Sequence, residues 1–252
     1  MSRLSRGARI TGRVIKGLFF TVIFSVIALL LWRIFSSGDP KSMKALTPNE
    51  ALAAAYEKEG QDLYMFRQEQ RSITSGEDNY GYFSVTDCVF IPEANQVQIV
   101  VRYNNSTLRA LTEDYDLEEV PSREEELFDV SLTFATDLTP ENENDNLWTD
   151  EGDRSDSVAM TRVHPTSVTK DRKQMYNYRR FVFDLGTAEL SLSELTESGI
   201  LLAVFADVYY NEDIRYEDEP YGALCLYTYL DETLTVPLEK VDRRALDGYL
   251  DT

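Results

Sequence analysis

Glu141, Glu143 and Asp145 stand two residues apart in ENEND, a spacing at which carboxylates converge on a hard divalent cation such as Ca²⁺. The rest of the loop departs from that chemistry. With Glu141 as first ligand, Asn146 falls where a calcium loop needs glycine for its sharp turn, and Gly152 falls where a bidentate glutamate belongs. These acids belong to one of three acidic runs, EDYDLEEVPSREEE, DLTPENENDNLWTDEGDRSD and NEDIRYEDEP, each holding one Arg. Their low apolar content reads as solvated loops, and no metal or cofactor is expected.

His164, followed by Pro165, is the one histidine that could serve as base to a nucleophile. Cys88 and Cys225 sit in the apolar stretches TDCVFI and ALCLY, where a thiol behaves as a small hydrophobe. No G-x-S-x-G occurs, and one His with two distant Cys makes no zinc set. Nothing in the spacing decides whether the two cysteines are bonded to each other. Carboxylate chemistry of the glycosidase kind needs an acid desolvated against apolar groups, and Asp87 and Asp207 are the two acids with such neighbours. The expected state of both is an acid on the outer face of a sheet, or one paired with Arg. A membrane-tethered hydrolase using carboxylates is the alternative function, and the chain is read as a non-enzyme. NNST offers overlapping N-x-[ST] matches at Asn104 and Asn105.

Two stretches have the chemistry of contact surfaces. VYYNEDIRYEDEPYG combines flat aromatic area with charge, so Tyr209, Tyr210, Tyr216 and Tyr221 are the candidate binding residues. TRVHPTSVTKDRKQMYNYRR sets Arg162, Lys170, Arg172, Lys173, Arg179 and Arg180 against Asp171, with Tyr176 and Tyr178 interleaved. It suits an acidic glycopolymer or the acidic face of a partner, or complements the acidic loops of its own domain.

The elements that must carry these residues are mostly strands. From Tyr80 onward the apolar period becomes 2: VQIVVRY, LFDVSLTFA and YRRFVFDL alternate, and ILLAVFADVYY is apolar on both parities as a central strand would be. YFSVTDCVFI, GALCLYTYL and TLTVPL complete about seven strands, with PEANQ as a hairpin-length link and Pro237 confining the last to an edge. Short alternating strands with almost no helix between them predict a mainly β fold, an antiparallel β-sandwich of immunoglobulin-like pattern over 80–240, although the Cys and Trp hallmarks of that family are missing. Ahead of it, residues 36–79 read as a tether and a short helical stalk. TPNEALAAAYEKEG supplies Thr47 as N-cap, Pro48, a capping-box Glu50 and a terminal Gly60. Residues 241–252 read as a C-terminal tail.

KGLFFTVIFSVIALLLWR sets the location. It has no polar face and reads as a transmembrane helix over 17–35, with Lys16, Trp32 and Arg33 at the membrane interfaces. Cleavage after Gly38 is the competing fate. Arg3, Arg6, Arg9, Arg13 and Lys16 precede the span with no acid among them, which holds residues 1–16 in the cytoplasm as a basic tail and delivers the rest outside. The first 33 residues carry six positive charges of a chain whose net charge is −19, which leaves −25 for the remainder. So acidic a surface excludes nucleic acid as a partner and disfavours anionic lipid headgroups. The expectation is a single-pass cell-membrane protein whose extracytoplasmic domain is a binding or assembly module. Its expected partners are the membrane, through the helix, and another envelope or surface protein.

Overall fold

The computed structural model describes residues 6–36, 39–59, 62–68, 71–73, 83–114, 116–122, 128–138, 160–197, 201–210, 222–228 and 238–250. The chain divides into two compact units, Met1–Asp39 and Pro40–Thr252.

In the first unit, α1 spans Arg6–Ser36. Within it Val14–Trp32 is long and apolar enough to cross a membrane, and its large apolar side chains are exposed around the whole circumference. Nineteen residues of helix rise about 28 Å. Thr21 does not interrupt the apolar surface, because its hydroxyl donates to the Gly17 carbonyl one turn back at 3.0 Å.

The second unit is mainly β. Its strands are β1 Tyr64–Gln68, β2 Arg71–Ile73, β3 Phe83–Ile91, β4 Gln96–Tyr103, β5 Phe128–Leu138, β6 Met160–Val163, β7 Ser167–Lys173, β8 Tyr176–Asp184, β9 Leu201–Tyr210, β10 Gly222–Thr228 and β11 Leu238–Lys240. The larger antiparallel sheet runs β11-β1-β3-β4-β8-β7, with β2 following β1 along the same edge of β3; the smaller runs β10-β9-β5-β6. One hydrophobic core draws on both sheets. Phe66, Phe90, Ile99, Phe181 and Phe183 of the larger sheet cluster with Val130, Leu132, Phe134, Val163 and Val204 of the smaller. For β4, β5 and β8 these are the positions the period of 2 assigns to one face. Phe66 stacks on Phe90 at 4.7 Å, and Phe128 of β5 meets Phe83 edge to face at 4.5 Å.

The hairpin expected at PEANQ joins β3 to β4. Asn95 closes it in the left-handed region, at φ 49°. Its side chain accepts from the Leu192 N–H at 2.8 Å and donates to the Leu190 carbonyl at 2.7 Å, fixing the start of the short helix α4, Leu192–Glu197. A further helix, α3 (Asn105–Asp114), separates β4 from β5, so the strands are less bare of helix than their sequence suggests. Asn104 caps it by accepting from the Ser106 N–H at 2.7 Å, which engages one of the two N-x-[ST] asparagines in structure.

Residues read from the sequence as tether and stalk pack on the outer face of the larger sheet. Helix α2, Glu50–Lys58, is capped by Asn49, whose side chain accepts from the Leu52 N–H, and not by Thr47. Leu52, Ala55 and Tyr56 are buried against Val89 and Ile91 of β3 and against Val241 and Leu246 near the C-terminus. The strand period explains the difference: Val89 and Ile91 face away from the main core, and an apolar outer face needs a cover. Of the TLTVPL strand only Leu238 is described; it opens β11 at one edge of the larger sheet, past Pro237.

Candidate functional site

The period of 2 divides the basic stretch between two faces. β7 and β8 form a hairpin in regular register, pairing Val168 with Phe181, Lys170 with Arg179 and Thr169 with Arg180. Val168, Lys170 and Arg179 therefore share the face of the core residue Phe181, whereas Thr169, Asp171 and Arg180 lie on the opposite face. The six cations do not form one patch: Arg180 is fully buried, Arg179 and Lys173 are half-buried, and Arg162, Lys170 and Arg172 are exposed.

On the core-side face, where the sheets part, lies a groove of about 110 Å³. It is lined by Tyr103 of β4, Val168 and Lys170 of β7, Arg179 and Phe181 of β8, and Phe128 and Asp129 of β5. Aromatic contacts build its floor. Tyr103 meets Phe128 edge to face at 4.9 Å, and the Arg179 guanidinium lies 5.7 Å from the Tyr103 ring centre while donating to its neighbour's carbonyl, Tyr178 O, at 3.0 Å. His164, exposed just beyond β6, brings Nδ1 to 4.0 Å from the Asp129 carboxylate. On the opposite face Arg102 lies over the Tyr176 ring at 4.6 Å. The groove thus offers cations, one carboxylate and aromatic faces within a space well below the roughly 300–1,000 Å³ typical of small-molecule sites.

The register of β9 connects this groove to the candidate tyrosines. Tyr209 is opposite Asp129 and Tyr210 opposite Phe128, so the end of β9 runs beside the β5 wall of the groove. Tyr216 and Tyr221 lie outside the described residues, as do the side chains of Tyr209 and Tyr210. Lys16, Trp32 and Arg33 all fall within α1.

The residues weighed for catalysis separate. Cys88 is buried in the core between the sheets, whereas His164 is exposed at the surface. The side chains of Cys225 and Asp207 lie outside the described residues. Asp87 is paired, as a strand acid is expected to be: Oδ1 accepts from Arg67 Nη1 at 2.9 Å and Oδ2 from Arg180 Nη2 at 3.0 Å. Its environment is therefore the reverse of an acid desolvated against apolar groups.

A bulge at Thr86 makes this pairing possible. The register passes from Val85↔Val101 to Asp87↔Val100, which turns Asp87 to the outer face in one row with Val100 and Arg180. Glu141, Glu143 and Asp145 lie outside the described residues, and among the described residues no three His, Cys, Asp or Glu side chains are grouped to hold a metal.

Sequence reasoning missed Tyr103, Phe128 and Asp129 as neighbours of Lys170 and Arg179. The parity of the strands was a usable signal for Lys170 with Arg179, but the approach of β5 from the other sheet leaves no mark in local spacing. No family model, no curated protein and no solved structure was found to match the chain.

Proposed function

We propose that this is a single-pass membrane protein whose extracytoplasmic β-sandwich, immunoglobulin-like in its pattern of short alternating strands, acts as a binding or assembly module. The observation that carries the reading is α1: a helix apolar on every side over Val14–Trp32 has no face suited to water, and lipid is the medium that accepts it. The cations clustered before the span favour a cytoplasmic N-terminus. Two antiparallel sheets with a common core support the sandwich.

The contact surface is the end of the domain where the groove adjoins the last residues of β9. Tyr209 and Tyr210 end β9 there, Tyr216 and Tyr221 follow them in sequence, and Lys170 and Arg179 supply charge. A shallow groove bounded by aromatics and cations suits a protein partner at the cell surface better than an enclosed small molecule. The test is cross-linking of the full chain in intact cells, followed by the same experiment on variants. Changing the four tyrosines to Ser, or Lys170 and Arg179 together to Glu, is expected to abolish retention of whatever co-purifies with the unchanged chain. Equal retention by both variants removes this surface from consideration.

A further inference from the structure

Residues 40–58 occupy the outer face of the larger sheet in the manner of a bound peptide. The fully buried Gln98 of β4 reads the main chain of Thr47 with two bonds: Nε2 donates to the Thr47 carbonyl at 2.9 Å, and Oε1 accepts from the Thr47 N–H at 2.8 Å. This is what a neighbouring strand would offer a peptide unit, and it is indifferent to the side chain being held. The amide is oriented by its own neighbours, since Nε2 also donates to Gln96 Oε1 at 2.8 Å and Oε1 accepts from Arg180 Nη1 at 3.2 Å.

A second main-chain contact comes from Arg180, whose Nη2 donates to the Met43 carbonyl as well as to Asp87. The Met43 side chain is wholly buried on Val100 and Tyr178, with Tyr176 beside them. Ser42 donates its hydroxyl to Asp171 of β7. Downstream, α2 lays Leu52, Ala55 and Tyr56 against Val89 and Ile91, as an amphipathic helix fills a groove.

The division of labour is that of receptor and ligand. Gln96, Gln98, Asp87 and Arg180 all belong to β3, β4 and β8, and the Asp87–Arg180 pair is formed by sheet residues alone. The covering segment gives mainly its backbone, one long unbranched apolar side chain and one apolar helix face. We propose that the outer face of the larger sheet is a peptide-recognition surface, and that residues 40–58 are its resident, exchangeable ligand. The peptide class it takes has a buried Met-like residue, a non-helical stretch whose main chain is read by an amide, and then an amphipathic helix. This inference does not depend on the groove or on the proposed function.

The experiment uses the full chain in lipid nanodiscs, with a protease site inserted at the 60–61 junction. After cleavage the fragment carrying residues 1–60 is expected to stay bound, and an excess of synthetic peptide spanning residues 40–59 is expected to displace it. The same peptide with Met43→Ser is expected to displace at least about tenfold less well, a comparison that leaves the folded protein untouched. Gln98→Ala in the sheet is expected to speed release of the fragment. The proposal is overturned if the peptide does not displace the fragment, if the Met43→Ser peptide displaces it equally well, or if cleavage itself melts the sheets.

Discussion

Two guanidiniums converge on Asp87, and one of them, Arg180, is out of solvent altogether. Removing the charge from one member of a buried pair is costly, since the cation left behind stays desolvated and loses that attraction. Asp87→Asn is therefore expected to lower the free energy of unfolding by about 3–5 kcal/mol, read from denaturant midpoints. Replacing the pair together, Asp87→Leu with Arg180→Met, is expected to cost clearly less than the single change. A double variant as unstable as Asp87→Asn would show that the pair contributes by shape and not by charge. That Asp87 sits in a strand and pairs with Arg was legible in its neighbours. Which arginines it meets was not, because the bulge at Thr86 reverses the parity that local spacing implies.

At the scale of elements, strands that alternate were legible, as was the continuous apolar run of β9, whereas β1 and β7 were hidden. β7 reads as a charge run, since an edge strand exposed along most of its length needs no apolar face and uses Lys170, Arg172 and Lys173 to discourage further pairing. β1 escaped notice because Met65 and Phe66 face different cores on its two sides, leaving no period to detect. The turn at Asn95 was legible in position but not in its reach across to α4. Asn95→Ala is expected to destabilise by about 1–3 kcal/mol through the left-handed backbone and the two lost side-chain bonds. Asn95→Gly relieves the backbone strain alone and should fall between the two in thermal unfolding.

β11 offers a test by pH. Its Lys240 bonds Asp62 just ahead of β1, and that hydrogen bond holds the ammonium above the ordinary lysine pKa. The bond's contribution is complete below the ordinary value and is lost as pH rises through the raised one. Exchange-sensitive or fluorescent probes on β11 should report loosening only in that alkaline window, and Asp62→Asn should remove the dependence.

For the whole molecule, charge and apolarity are segregated along the chain. Six positive charges and no acid occupy the first 33 residues, and the remaining −25 lies beyond the apolar helix. Neither part suits the other's medium: the exposed apolar surface of α1 is insoluble as a surface in water, and so strongly charged a remainder has no place in lipid. The proposed anchoring and the proposed orientation are separable, and one experiment with two readings tests both. Membranes washed with alkaline carbonate should retain the full chain, while the same chain with Val22, Ile23 and Val26 changed to Asp should be released, because each ionised group at the centre of a span costs about 2.5–3.5 kcal/mol on insertion scales. Protease applied to sealed cells should then leave only a fragment containing the basic tail and the helix, and permeabilised cells should lose the tail too. Release of the unchanged chain by carbonate removes the anchor. Survival of the acidic domain in sealed cells, with digestion only after permeabilisation, reverses the orientation while leaving the anchor intact, since positive charge beyond the span, at Arg33, Lys41 and Lys44, would then have outweighed the five residues before it.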